Sequence, residues 1–136
     1  MAKKTIHYTI CGLDYVYLEN FPVRQTKHGE VLDADLAAIE REIASQIIRQ
    51  GIPRRGAEVK FLRKSLGLSM ERFGALLGLS PPAILKWERA PQKRLHPINE
   101  VAVRALMAER LGIFVEGNFT VLKGKRVTPD RLSLNR

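Results

Sequence analysis

The chain has 136 residues, of which 45% are hydrophobic and 27% charged, a composition that is ordinary for one modest core or two small subdomains. That composition excludes disorder throughout the chain, and the single cysteine, Cys11, excludes an intrachain disulfide framework and is typical of a reducing compartment. No apolar segment follows Lys3 and Lys4, and no run of about 18 apolar residues occurs, so we expect a cytoplasmic protein without a membrane span.

The net charge of +9 is distributed unevenly along the chain. Residues 1–52 hold six Lys and Arg against seven Asp and Glu, a net charge of −1, whereas residues 53–136 hold seventeen against seven, a net charge of +10. A basic second half suits a polyanionic partner, because each phosphate neutralised by Lys or Arg releases counterions. Charge alone leaves anionic lipid and acidic proteins as alternatives to nucleic acid.

The beginning of the chain predicts a small β-hairpin. Ile6, Tyr8 and Ile10 alternate with polar residues, residues 12–14 offer a turn, and residues 15–18 are aromatic, β-branched or apolar. These two short segments are therefore expected to pair as antiparallel strands.

A helix is predicted to follow the hairpin. Residues 20–22 and 28–30 interrupt the strand pattern, and Asp33 is positioned to cap the first helical turn. Residues 51–56, with the sequence GIPRRG, are interpreted as the joint between two parts of the chain. The apolar stripe of this helix has spacings of three and four and consists of Leu36, Ile39, Ile43 and Ile47.

Three short helices are predicted beyond the joint. Val59, Leu62 and Leu66 form the apolar stripe of the first, which Gly67 can end with a left-handed cap. In the second, Ser69 is the expected N-cap, Glu71 suits the positive end of the helix dipole, Gly74 permits a close helix approach and Gly78 is the stop. The side chains expected to face inward from this second helix are Phe73, Leu76 and Leu77.

The third helix is predicted to begin after Ser80. Pro81 and Pro82 then fall in its first turn, where a missing N–H costs little. Ile84 and Trp87 are expected in the core. The outward face is small and basic, with an unobstructed helix N-terminus, and holds Ala83, Lys86 and Arg89.

A fourth helix is predicted at residues 97–111, with its buried side formed by Ile98, Val101, Ala105 and Leu106. Beyond it, Gly117 and Asn118 could turn one strand back on another. We therefore expect residues 113–136 to form a hairpin or a basic arm.

The stretch LRKSLGLSMERFGALLGLSPPAILKWERA, residues 62–90, resembles the Cro/repressor (Xre) family of helix-turn-helix proteins. The family pattern has LR on helix one, LS or LT before helix two, LG at its end and WE or YE late in helix three. The resemblance implies a lambda-repressor-like bundle that binds DNA. At the corresponding positions, Arg63 and Glu88 are expected to pair helix one with helix three as a structural ion pair.

Residues 16–48 resemble the linker and helix of MqsA-type antitoxins, in which a small zinc-binding domain precedes an Xre-like domain. The pattern departs from that family at Gln25 and His28, which replace two cysteines, and the N-terminal C-x-x-C pair is also missing. A structural zinc needs four Cys or His ligands, and His7, Cys11 and His28 supply at most three, so we expect no metal. A miniature core is predicted in its place, formed by Ile6, Tyr8, Tyr15, Tyr17 and Phe21.

The resemblance to the Xre family also nominates the residues that contact DNA. The third helix of that family enters the major groove while the second crosses the backbone. Lys86 is the expected base contact, to guanine O6 or N7, and much of the specificity is expected from DNA shape because prolines cannot read adenine. The groove-facing set by position is Ser80, Pro81, Pro82, Ala83 and Lys86, and the candidate phosphate contacts are Ser69, Arg72, Arg89, Gln92, Lys93 and Arg94.

The sequence therefore predicts an α+β chain in three parts. Residues 1–52 form a β-hairpin and helix for dimer or partner binding, residues 53–112 an all-α helix-turn-helix domain, and residues 113–136 the hairpin or arm. The expected protein is a nucleoid-associated transcriptional regulator that binds a palindromic operator as a homodimer, through Phe61 or through residues 114–122. No enzyme activity or cofactor is expected, because no phosphate loop, nucleophile elbow or His-Glu-x-x-His signature occurs.

Three biological roles are compatible with this prediction. If the MqsA-type resemblance holds, the chain is an antitoxin-like repressor of its own operon that binds a small toxin protein through its N-terminal half. A solitary Xre-family regulator without a toxin is the second role. The third is a protein-interaction adaptor whose basic face serves RNA or an acidic protein.

Overall fold

The computed structural model describes residues 3–136 and shows an α+β fold that contains, within that range, four strands and six helices. The strands are β1 (Lys3–His7), β2 (Val16–Thr26), β3 (Gly29–Leu32) and β4 (Leu132–Asn135). The helices are α1 (Leu36–Gln50), α2 (Gly56–Ser65), α3 (Met70–Leu77), α4 (Pro81–Glu88), α5 (Pro97–Leu111) and α6 (Phe119–Lys123).

The predicted N-terminal hairpin is confirmed as an antiparallel pairing of β1 with β2, but β1 ends at His7, so Tyr8 and Ile10 lie beyond the strand. The predicted break at residues 20–22 is wrong, because β2 continues through them. Between the pairs Lys4–Phe21 and Ile6–Leu18, β2 holds one more residue than β1, and Asn20 absorbs this bulge with φ +61°. β2 then pairs with β3, a strand that the sequence interpretation missed.

Helix α1 begins two residues later than expected. Asp35, rather than Asp33, is the N-cap, and its carboxylate accepts hydrogen bonds from the backbone N–H groups of Ala37 and Ala38 at 3.0 and 3.4 Å. The backbone N–H of Asp33 instead donates to Pro22 O, which ties it to the sheet. The predicted stripe is buried at Ile39, Ile43 and Ile47, whereas Leu36 lies at the exposed end of the helix.

The C-terminal segment forms neither a hairpin nor a free arm. Asn118 is the N-cap of α6, and its side chain accepts from the N–H of Val121, so Gly117 and Asn118 do not turn one strand onto another. β4 returns to the N-terminal sheet and pairs in parallel with β2, with Leu132 and Leu134 buried. One hydrophobic core therefore extends from the sheet through α1 into the helical bundle.

Helix α5 has the predicted bounds but a different buried face. Ile98 is 63% exposed and Ala105 is also exposed, while Val101 and Leu106 are half-buried. The reason is that two charged side chains with internal partners, Glu100 and Arg104, occupy the inner face. The buried residues of α5 are Glu100, Val103, Arg104, Met107 and Ala108.

Arg54 lies in the joint and is completely buried. Its guanidinium donates to the carbonyl oxygens of Ile52, Leu122 and Lys123 at 2.8 to 3.1 Å, and its backbone N–H donates to the Glu100 carboxylate. Burial lowers the pKa of Arg54 to about 10, so the side chain remains a cation at neutral pH. The joint is thus a packed core segment that connects α1, α5 and α6.

The helices of the bundle differ from the expected packing at two positions. Phe61, predicted as a candidate dimer contact, is 5% exposed and belongs to the core of the single chain. Leu76, predicted to face inward, is 40% exposed, because the short helix α3 buries only the narrow side that carries Phe73 and Gly74. No helix within residues 3–136 is both long and apolar enough to cross a bilayer.

Candidate nucleic-acid interface

Helices α3 and α4 form a tight helix-turn-helix. The Ser69 hydroxyl caps α3 by accepting from the Arg72 N–H at 3.0 Å, and Gly78 ends α3 in the left-handed region at φ +73°. A Cβ on Gly74 would lie 2.6 Å from Leu79 O, so glycine permits the turn to fold back onto α3. These caps and the close approach agree with the predicted boundaries.

The predicted ion pair between helix one and helix three is confirmed as a contact between α2 and α4. Arg63 Nε donates to Glu88 Oε2 at 2.7 Å and Arg63 Nη2 donates to Glu88 Oε1 at 2.9 Å. The third donor, Nη1, reaches Leu68 O at 2.8 Å. Hydrogen bonding to Glu88 raises the pKa of Arg63, and the bidentate contact ties α4 to α2.

The first turn of α4 presents side chains rather than backbone donors. Pro81 and Pro82 have no N–H, and the N–H of Ala83 donates to Ser80 O at 3.1 Å. The Ser80 side chain makes no capping hydrogen bond, so its hydroxyl faces solvent at this end of α4. The helix N-terminus is unobstructed as predicted, but it cannot bind phosphate through its first N–H groups.

Four exposed cations lie on the helix-turn-helix and on the loop that follows it. Arg72 lies on α3, Lys86 on α4, Arg89 at the C-cap of α4, and Lys93 in the loop that follows. Within residues 3–136, none of these four side chains forms an ion pair or an internal hydrogen bond. Their charges are therefore balanced by solvent ions, which is the condition for counterion release on binding a polyanion.

The remaining predicted residues are placed differently. Arg94 turns inward, where its Nε donates to the buried Glu100 carboxylate at 2.6 Å and its Nη1 donates to Arg126 O at 2.8 Å. Gln92 is exposed, but its amide oxygen accepts from Arg55 Nη1 at 2.7 Å. Trp87 is half-buried against the core, as predicted.

Arg55 is a residue that the sequence interpretation missed. It is the N-cap position of α2, and its guanidinium holds the buried carboxylate of Glu58 at 2.6 and 2.8 Å while also contacting Gln92. The signal in the sequence is an Arg-x-x-Glu spacing at the start of a helix, which places the two side chains on one face. That spacing is common on solvated helix surfaces, and only the fold shows that this pair is enclosed.

The N-terminal histidines and cysteine do not assemble a metal centre. His7 stacks on Tyr17 with ring centroids 4.5 Å apart and its Nε2 lies 2.6 Å from Asp14 O, while His28 is exposed in the turn before β3. In the part of the chain that the structure describes, no three His, Cys, Asp or Glu residues come together as ligands. Tyr8, Tyr15 and Phe21 are buried in this region, as the predicted miniature core requires, with Ile6 and Tyr17 half-buried.

Comparison with known proteins agrees with this geometry for the bundle. Residues 59–97 match the family described as "Helix-turn-helix", a range that runs from within α2 through α3 and α4 to the first residue of α5. No curated protein and no solved structure matches the chain. The match supports the predicted resemblance of the bundle to Xre-type helix-turn-helix proteins, whereas the resemblance of residues 16–48 to MqsA-type antitoxins stays a prediction.

Proposed function

We propose that the protein is a sequence-specific double-stranded DNA-binding repressor that inserts α4 into the major groove. The observation that carries the proposal is a set of exposed cations without internal partners in the helix-turn-helix region, namely Arg72 on α3, Lys86 and Arg89 on and at the end of α4, and Lys93 in the following loop. These side chains form no ion pair with a carboxylate within residues 3–136, so their charge is available to phosphates and base edges. The matched family is a family of regulators rather than of enzymes.

Base reading is assigned mainly to Lys86. Its ammonium group extends from the second turn of α4, where it can donate to guanine O6 or N7. Pro81, Pro82 and the half-buried Ala83 offer apolar contacts to a thymine methyl but no hydrogen bonds. With one reading side chain on the helix, much of the specificity comes from DNA shape and deformability.

Phosphate binding is assigned to the N-terminus of α3 and to the flanking cations. The backbone N–H of Phe73 donates to Ser69 O, and that of Arg72 donates to Ser69 Oγ. The N–H groups of Met70 and Glu71 have no partner within the described residues. These two donors point from the positive end of the α3 dipole. The exposed side chains of Arg72, Arg89 and Lys93 supply further positive charge for phosphates. Arg94 is excluded from this set because it pairs with the buried Glu100.

A homodimer on a palindromic site completes the proposal, because one helix-turn-helix reads only a few base pairs. Phe61 is buried and is not available for the contact. The residues between α5 and β4 support an interface instead, because four large apolar side chains are exposed there. They are Phe114 at 86%, Phe119 at 48%, Val121 at 49% and Val127 at 73%.

The antitoxin-like role rests on the N-terminal half. Ile10 is 81% exposed, and Val31 and Leu36 are also exposed beside a groove between β1, β3 and α1. Such a surface supports binding of a partner protein, for which a small toxin is the candidate. A solitary regulator uses the same α4 surface without this partner.

The experiment that tests the function is fluorescence anisotropy with a labelled duplex from upstream of the gene and a scrambled duplex of equal composition, over a salt series. A repressor binds the first duplex at least tenfold more tightly, and its affinity falls steeply with salt. Equal weak binding to both duplexes contradicts sequence-specific recognition. Sedimentation of wild type and Phe114→Ser, with and without DNA, tests the dimer and its interface.

A further inference from the structure

The loop that carries two of the candidate DNA contacts lies directly on the beginning of α2. The N–H of Gly56 donates to Lys93 O at 3.1 Å, and the N–H of Ala57 donates to Pro91 O at 3.0 Å. From the other side, the N–H of Leu95 donates to Arg54 O at 3.0 Å. The backbone between α4 and α5 is therefore held at both ends by residues 54–57.

Arg55 lies at the centre of this contact with a fixed guanidinium. Its Nε donates to Glu58 Oε1 at 2.8 Å and its Nη2 to Glu58 Oε2 at 2.6 Å, a bidentate pair. Glu58 is completely buried, and the side chain of Arg55 is only 13% exposed. The hydroxyl of Tyr15, from the N-terminal hairpin, donates to the same Glu58 Oε2 at 2.8 Å. The Glu58 carboxylate is thus held both by Arg55 and by Tyr15 of the N-terminal hairpin, and this fixes the orientation of the Arg55 guanidinium.

The remaining nitrogen of Arg55 is directed at the loop. Nη1 donates to Gln92 Oε1 at 2.7 Å, and since a guanidinium has donors only, the oxygen of the Gln92 amide must face it. The Gln92 side chain is otherwise exposed, so its NH₂ group is left on the solvent side. An amide held in this way is a donor of defined direction, next in the chain to the exposed Lys93.

We propose that Arg55 is a positioning residue for DNA binding, which orients the Gln92 amide so that its NH₂ group donates to a phosphate oxygen of the bound duplex. The inference rests on the proposed function and adds a residue that does not itself contact DNA. Only arginine fits this role, because its planar fork serves Glu58 and Gln92 simultaneously while a lysine ammonium cannot. The hydrogen bond from Tyr15 to Glu58 means that the N-terminal hairpin also helps to orient Arg55.

A double-mutant cycle tests the inference by anisotropy on the upstream duplex, with Arg55→Lys, Gln92→Ala and the double variant. Because one oriented hydrogen bond is at stake, Arg55→Lys is expected to weaken binding about fivefold in the wild-type background. The same change is expected to have no effect in the Gln92→Ala background, since the amide it orients is gone. Arg131→Lys is the matched control, because Arg131 pairs with Glu19 on the sheet, and it should leave affinity unchanged.

Equal losses from Arg55→Lys in both backgrounds would overturn the inference, because Arg55 would then act on DNA directly or through the fold. Tyr15→Phe, which removes one hydrogen bond and keeps the Arg55–Glu58 pair, gives a milder variant in case Arg55→Lys does not fold. Its loss of affinity must also disappear in the Gln92→Ala background, and a loss that persists there overturns the inference. If the wild-type protein binds no duplex, the proposed function itself fails, and the inference fails with it.

Discussion

Arg63 and Glu88 join α2 to α4 through two hydrogen bonds of 2.7 and 2.9 Å, with side chains only 9% and 3% exposed. The helix that we propose to enter the major groove is thereby fixed to α2. Because both groups are enclosed, removing one partner leaves a buried charge without compensation.

Glu88→Ala is therefore expected to lower the free energy of unfolding by about 3 kcal/mol, measured by urea denaturation at neutral pH. Glu109→Ala, which removes an exposed carboxylate of α5 that has no ion pair within the described residues, is the control and should change stability by less than about 0.5 kcal/mol. Equal effects of the two substitutions would mean that the Arg63–Glu88 pair contributes nothing to stability.

Lys86→Ala is expected to weaken binding to the upstream duplex by about 1–3 kcal/mol and to change binding to the scrambled duplex little, because a base contact acts only on the correct sequence. Anisotropy titrations on both duplexes measure the difference. Lys27→Ala removes the same charge from the exposed turn before β3 and should leave both affinities nearly unchanged. An equal loss on both duplexes would make Lys86 a phosphate contact.

Lys93 and Arg94 are adjacent in sequence but should respond differently to substitution. Lys93→Ala is expected to reduce the slope of log affinity against log salt by about 1 without affecting stability, because its ammonium is solvated. Arg94→Ala is expected to lower the free energy of unfolding by about 2 kcal/mol, since it removes the ion-pair partner of the buried Glu100 carboxylate. A reduced salt slope for folded Arg94→Ala would contradict its assignment to the fold.

Gly56→Ala is expected to destabilise the protein by about 3 kcal/mol. A Cβ at this position would lie 2.1 Å from Trp87 O and 2.6 Å from Ala90 O, both backbone atoms that cannot move aside cheaply. Thermal denaturation of this variant beside Lys60→Ala, an exposed substitution in the same helix, measures the cost. A melting temperature equal to that of Lys60→Ala would show that the loop after α4 does not lie against Gly56.

The buried phenol of Tyr8 predicts a loss of stability at alkaline pH. Burial, together with the carboxylate of Glu40, raises its pKa from 10.0 to about 12. Since the folded pKa lies above the unfolded one, the stabilisation is complete below about pH 10 and is lost as the pH rises toward 12. Relative to Tyr8→Phe, the wild type should lose on the order of 2 kcal/mol over that interval in urea titrations. Parallel pH profiles of the two proteins would contradict this.

Local signals in the sequence determined the helix-turn-helix. Ser69, Gly78 and the Pro81–Pro82 pair act within one or two turns of chain, through hydrogen bonds and backbone restrictions that hardly depend on the rest of the fold. For the same reason the bounds of α5 and the exposure of Lys86 were predictable, and the Arg63–Glu88 pair followed from the family pattern.

Contacts between distant segments were decided by the tertiary structure alone. The pairing of β4 with β2 joins residues more than a hundred positions apart, and no local pattern reports it. The inner face of α5 was assigned to apolar residues, yet Glu100 and Arg104 lie on it. Arg94 and the backbone N–H of Arg54 donate to Oε1 of Glu100, and Arg104 donates to carbonyl groups of other elements. Likewise, Lys93 and Arg94 are adjacent basic residues that no sequence pattern distinguishes. Arg94 turns inward because Glu100 lies within its reach, whereas Lys93 remains in solvent. Burial of a charge depends on partners that the fold brings together, and for that reason it could not be predicted from the sequence.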